Sequence, residues 1–164
     1  PNHYTPWGKG IGERPLELYM GPCYVIHARV ARGERVARRH FEAKWRSGDV
    51  KWPAPRMLVR TGSFPDPDKW NSDFCSLEPA LLEEWALGGV RLAGIDTPSI
   101  DPEDCKTLDA HQVIARHDMA ILEGLDLSKV DEGLYTLIAL PLKLEDADAS
   151  PVRAVLLDDL SVLK

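Results

Sequence analysis

In the middle of the chain a helix and a strand follow one another with almost no linker, and this succession constrains the fold more than any other feature. Leu81, Leu82, Trp85 and Ala86 fall on one side of a helix that Ser76 can cap, that carries Glu78 and Pro79 in its early turn, and that Gly88-Gly89 stops. Val90-Arg91-Leu92-Ala93-Gly94-Ile95-Asp96 then reads as a core strand running into Thr97-Pro98-Ser99. A helix feeding a buried strand is the repeating unit of α/β folds, so the chain is expected to be α/β, with a site at that strand's end being a normal arrangement.

The flanking segments fit this reading. Tyr24 to Val30 has the β-branched and aromatic content of a strand and follows Gly21-Pro22, a turn signal. Met57-Leu58-Val59-Arg60-Thr61 is a short buried strand ending at Gly62, and Ser63 to Phe74, with Pro65-Asp66-Pro67, is a loop. Arg35 to Arg46 has near-helical spacing with Ser47-Gly48 as a stop, and its arginines and lysine are expected on a solvated face. Asp109 resembles an N-cap with Gln112 at the third helical position, giving a short helix from Ala110 to Arg116. Met119 to Leu125, Tyr135 to Leu142 and Ser150 to Leu157 are strand-like, and the stretch through Gly12 is an irregular loop. One domain over residues 1–164 is the expectation, because the chain is long enough for one core and nothing in it demands two.

A formal charge of −6 repels nucleic acid and anionic membrane alike, which leaves a small molecule or another protein as the expected partner. Charges interrupt every apolar stretch well before the ~20 residues that cross a bilayer, and no signal-peptide pattern opens the chain; a soluble, cytoplasmic protein is expected. The chain begins at Pro1 without an initiator methionine, so its start is expected to be truncated. Cys23, Cys75 and Cys105 are odd in number and widely spaced, as ordinary reduced thiols would be.

Three residues stand out as chemistry-bearing types. His3 lies in an irregular loop, His111 at a helix start, and Glu123 within the apolar run Ala120-Ile121-Leu122-Glu123-Gly124-Leu125. A buried unpaired carboxylate is costly, so Glu123 must meet a cation, a metal or a proton, or else face solvent from an edge strand. His111 and Glu123 are too far apart for one helical face, although a helix start and the next strand can converge on one ion. His27, His40 and His117 read as structural. Nucleophile-elbow, Walker and dinucleotide motifs are absent, which weakens serine-hydrolase, nucleotide and dehydrogenase readings.

Several separated segments together resemble the bacterial kynurenine formamidases of the cyclase-like metal hydrolase family. They are Gly21-Pro22-Cys23 with Val25-Ile26-His27, the run from Trp70 to Cys75, Gly94 to Pro102, Lys106 to His111, Met119 to Leu125, Leu137 to Lys143, and Asp148 to Val155. The family's His-x-x-x-His-x-Asp-x-Pro stretch, followed closely by another histidine, survives only at its end, as Pro1-Asn2-His3. The resemblance implies a swivelling β/β/α fold lacking its N-terminal strands and a homodimer. It implies hydrolysis of N-formyl-L-kynurenine to L-kynurenine and formate. It also implies a two-zinc (Zn2+) site in the intact protein, to which His111 and a bridging Glu123 contribute while two histidines and a bridging aspartate precede Pro1, with His3 as general acid/base. The alternatives are a sister amide hydrolase acting on a compound such as isatin, or a non-catalytic fragment.

Overall fold

The structure, a computed structural model, describes residues 8–41 and 52–158. Its strands are β1 (Met20–His27), β2 (Arg35–Val36), β3 (Arg56–Arg60), β4 (Ser76–Leu77), β5 (Leu92–Ile95), β6 (Ala120–Leu122), β7 (Gly133–Ile138) and β8 (Val155–Leu157), and its α-helices are α1 (Pro79–Leu87) and α2 (Asp109–Arg116). Six strands form one sheet in the order β6-β5-β3-β1-β7-β8, while β2 and β4 pair separately. β1, β3, β5 and β6 run parallel, and β7 and β8 join antiparallel. The α/β expectation holds.

The parallel strands are apolar on both faces because both faces are covered. Successive side chains alternate across the sheet. Ile26, Met57, Val59, Ala93 and Ile95 therefore meet Leu81, Leu82 and Trp85 of α1 and Val113 and Ile114 of α2. Val25, Leu58, Leu92, Leu122 and Leu137 pack on the other face with Leu18, Tyr19 and Leu127. This sandwich fixes the C-terminal ends of β5 and β6 side by side, with Ala93 opposite Ile121 and Gly94 opposite Leu122.

Three sequence expectations are corrected. Gly21-Pro22 is no turn; it lies within β1, which starts at Met20. From Met20 to Cys23 the strand pairs, among the described residues, with β7 alone, since β3 joins at Tyr24, and a one-sided stretch tolerates proline. The vacant side is filled by Arg56, whose Nε donates to the Leu18 carbonyl at 2.8 Å and whose Nη1 donates to the Pro22 carbonyl at 3.2 Å. Gly21 makes room for it: its φ is +116°, and a Cβ there would lie 3.1 Å from Arg56 Nη1.

The helix expected from Arg35 to Arg46 does not begin there. Arg35 and Val36 pair with Ser76 and Leu77 as strands, and Arg38–His40 forms a single 3-10 turn. Burial explains the difference, because Val36 and Leu77 are both fully buried and extended pairing puts them in the core together. The remainder of that predicted helix lies outside the described residues. Ser76 consequently sits in β4 rather than capping α1, whose N-cap is Glu78 with Pro79 behind it.

Trp85 is fully buried between α1 and the sheet. Trp85→Ala is expected to lower unfolding free energy by about 3–5 kcal/mol, read from urea denaturation followed by circular dichroism. A loss below ~1 kcal/mol would contradict this packing.

Candidate functional site

The site is built around Asp101, a carboxylate with no solvent exposure. Its Oδ1 accepts from the Ala110 amide at 2.9 Å, and its Oδ2 accepts from the His111 amide at 3.1 Å. These are orphan donors of the first turn of α2, so Asp101 caps that helix from well upstream. The sequence assigned this task to Asp109, which is instead the first residue of the helix. Asp101 wins because the chain enters α2 through Leu108 at φ +51°, a left-handed residue that turns the helix N-terminus onto the earlier loop.

The same carboxylate fixes the histidine ring, with Nδ1 of His111 lying 2.8 Å from Asp101 Oδ2. Burial alone would raise the Asp101 pKa, but the hydrogen bonds from the His111 ring and from the two amides outweigh it. They hold the group below the usual carboxylate range. An ionised Asp101 accepts only, so Nδ1 is the donor of that bond and Nε2 is the ring nitrogen turned toward Glu123.

Glu123 follows directly on β6, one position past the strand rather than inside it. Its Oε1 accepts from the Ile100 amide at 2.8 Å, and the next residue is tied down by the Gly124 amide donating to the Thr97 carbonyl at 2.8 Å. Two loops leaving adjacent parallel strands thus deliver Asp101 and Glu123 to one place. His111 Nε2 stands 3.6 Å from Glu123 Oε1. That exceeds hydrogen-bond length. It matches two donors to one ion, since ligands about 2.0–2.2 Å from a tetrahedral zinc lie roughly 3.4 Å apart. An imidazole backed by a carboxylate, beside a second carboxylate, is also the donor chemistry such an ion takes. Among the described residues no group of three or more His, Cys, Asp or Glu side chains is arranged to hold a metal ion, so these residues supply two ligands of a fitting type and spacing.

His111 and Glu123 also line a cleft of about 220 Å3 whose walls include Ile11, Tyr19, Ile121, Pro141 and Val152. An apolar wall beside a few convergent polar groups is the usual form of a small-molecule site. His3 lies outside the described residues. His27 is structural, its Nε2 bonded to the Val130 carbonyl at 2.9 Å, and His117 pairs with Glu83 across α1 and α2. The three cysteines are free thiols, and burial pushes Cys23 up to about 12. Asp101 was missed among the candidates. The available signal was a carboxylate wedged between Ile100 and Pro102, inside a segment already singled out.

A model of the family described as "Putative cyclase" matches residues 1–102. A kynurenine formamidase from Paracidovorax citrulli (strain AAC00-1) is 51% identical over 156 residues, which cover 95% of this chain and 71% of that protein. The solved structure of a potential metal-dependent hydrolase with cyclase activity superposes with a TM-score of 0.79 at 25% identity, covering 95% of this chain and 74% of the other. A predicted metal-dependent hydrolase from Bacillus stearothermophilus gives a TM-score of 0.73 at 26% identity, over 92% and 70%.

Since Asp101 orients His111, Asp101→Asn is expected to weaken divalent-metal binding by about 10–100-fold, measured by competition with a chromophoric chelator on the full-length protein. Unchanged affinity in a folded variant would remove Asp101 from the site.

Proposed function

The chain belongs to the cyclase family, and from that membership we propose that the protein hydrolyses N-formyl-L-kynurenine to L-kynurenine and formate. The identity with a kynurenine formamidase along nearly the whole chain carries this reading. The geometry supports it, because His111 Nε2 and Glu123 Oε1 face one another at a separation suited to a metal ligand pair, beside an apolar cleft. The relatives described as metal-dependent hydrolases support a metal cofactor, which we read as two zinc ions in each subunit.

His111 and Glu123 would hold this group. Bound there, it supplies Lewis-acid polarisation of the formyl carbonyl and lowers the pKa of an attacking water toward neutrality. The chain's own residues do the rest. Asp101 keeps the His111 proton on Nδ1, so that Nε2 presents its lone pair. The Ile100 amide holds Glu123 Oε1 against His111. Ile11, Ile121, Pro141 and Val152 offer the substrate's aromatic ring an apolar surface away from water. His3 moves the proton: it takes one as water adds to the formyl carbon and returns it to the aniline nitrogen as the C–N bond breaks. That return matters because an anilide anion leaves poorly. We propose further that the protein is a single-domain, cytoplasmic homodimer.

His111→Ala and Glu123→Ala in the full-length, zinc-loaded protein are each expected to lower kcat/KM for N-formyl-L-kynurenine by about 10³-fold, the several kcal/mol a Lewis acid contributes to the transition state. His3→Ala is expected to lower kcat by about 10²–10⁴-fold with zinc content unchanged. No kynurenine release from folded, zinc-loaded wild type would overturn the substrate assignment, and full turnover by Glu123→Ala would overturn the metal assignment.

A further inference from the structure

The sequence puts Arg35 at the head of a basic, solvated helix; the structure puts it on β2, 24% exposed and turned toward the metal-site loop. Its guanidinium touches that loop at its start, middle and end. Nη1 lies 3.9 Å from Asp101 Oδ1, and Nη2 lies 3.8 Å from Cys105 Sγ and 3.5 Å from Asp109 Oδ2. The arm it reaches from is itself fixed beside Asp101: Arg35 pairs with Ser76, and the neighbouring Leu77 amide donates to the Ile100 carbonyl at 2.8 Å.

We propose that Arg35 is a positioning residue for the metal site, holding closed the loop from Asp101 to Asp109 that sets His111 against Asp101. The proposal rests on the reading that His111 and Glu123 hold the ion. Two carboxylates converge on one guanidinium, and one of them is fully buried. With the cation removed, the two carboxylates lose the counter-charge they share, and their repulsion loosens the loop between them. Asp101 is the pivot on which the first turn of α2 and the His111 ring both hang, so opening the loop moves Nε2 away from Glu123. At 3.9 Å Arg35 makes no hydrogen bond to Asp101. Its contribution is charge placed between two acids, distinct from the amide and ring bonds that orient the carboxylate. A planar fork that reaches two acids at once is also a geometry that lysine reproduces only in part.

The test is Zn2+ affinity of the full-length protein by chelator competition, with metal-free melting temperature recorded alongside. Arg35→Met is expected to weaken binding about 10-fold, as loss of an outer partner of a metal ligand does. Arg35→Lys should lose only about 3-fold, since it restores the charge without the fork. Adding Asp109→Asn to Arg35→Met should recover most of the loss, because the opposed acids are then reduced to one. If Arg35→Met fails to fold, Arg35→Gln stands in, with the same loss expected. Unchanged affinity in Arg35→Met, or no recovery on adding Asp109→Asn, would overturn the proposal. So would an affinity loss matched by an equal drop in metal-free stability, which is the mark of a merely structural role. Wild type that binds no zinc would overturn the metal reading itself, an outcome separate from wild type that binds while Arg35→Met binds equally well.

Discussion

The buried Asp101 carboxylate is the contact on which the site depends. It caps α2 through two backbone amides and fixes the ring of a residue in that helix's first turn, so one side chain sets both where the helix begins and where His111 points. A buried carboxylate is costly unless its oxygens are satisfied. Here every hydrogen bond that meets the cost also orients the histidine. The sheet does the complementary work: β5 and β6 run parallel in register, so the loops after them bring Asp101 and Glu123 to the same edge. Ligands generally bind outside the carboxyl ends of the strands in open α/β sheets, and this site follows that rule.

The parts of the fold legible in the sequence were those whose signal is local. The helix ending at Gly88-Gly89 and the strand after it were readable because periodicity and stop residues lie within one short window. β3 was readable, as Met57 to Thr61, from the apolar run Met57-Leu58-Val59 that ends at Gly62. What escaped was non-local. Gly21-Pro22 reads as a turn until Arg56, far along the chain, supplies the donors that let an extended strand pass through it. Arg35-Val36 has helical spacing, but pairing with Ser76-Leu77 buries Val36 and overrides that propensity.

The site shows the same division. His111 and Glu123 could be singled out by residue type, one at a helix start and the other as a charge among apolar neighbours. Their convergence needed the parallel pairing of β5 with β6, which no local pattern encodes. Asp101 went unread for a related reason: an N-cap is sought immediately before its helix, and here the chain doubles back through a left-handed Leu108 to bring in a cap from an earlier loop. The chemistry of the candidate site was thus visible in composition, while its geometry belongs to tertiary structure.

The most direct measurement is anomalous diffraction at the zinc absorption edge from crystals of the full-length, zinc-loaded protein. A peak is expected about 2.0–2.2 Å from both His111 Nε2 and a Glu123 carboxylate oxygen, with His111 Nδ1 still bonded to Asp101. A catalytically competent crystal whose zinc peaks lie away from both residues would contradict it.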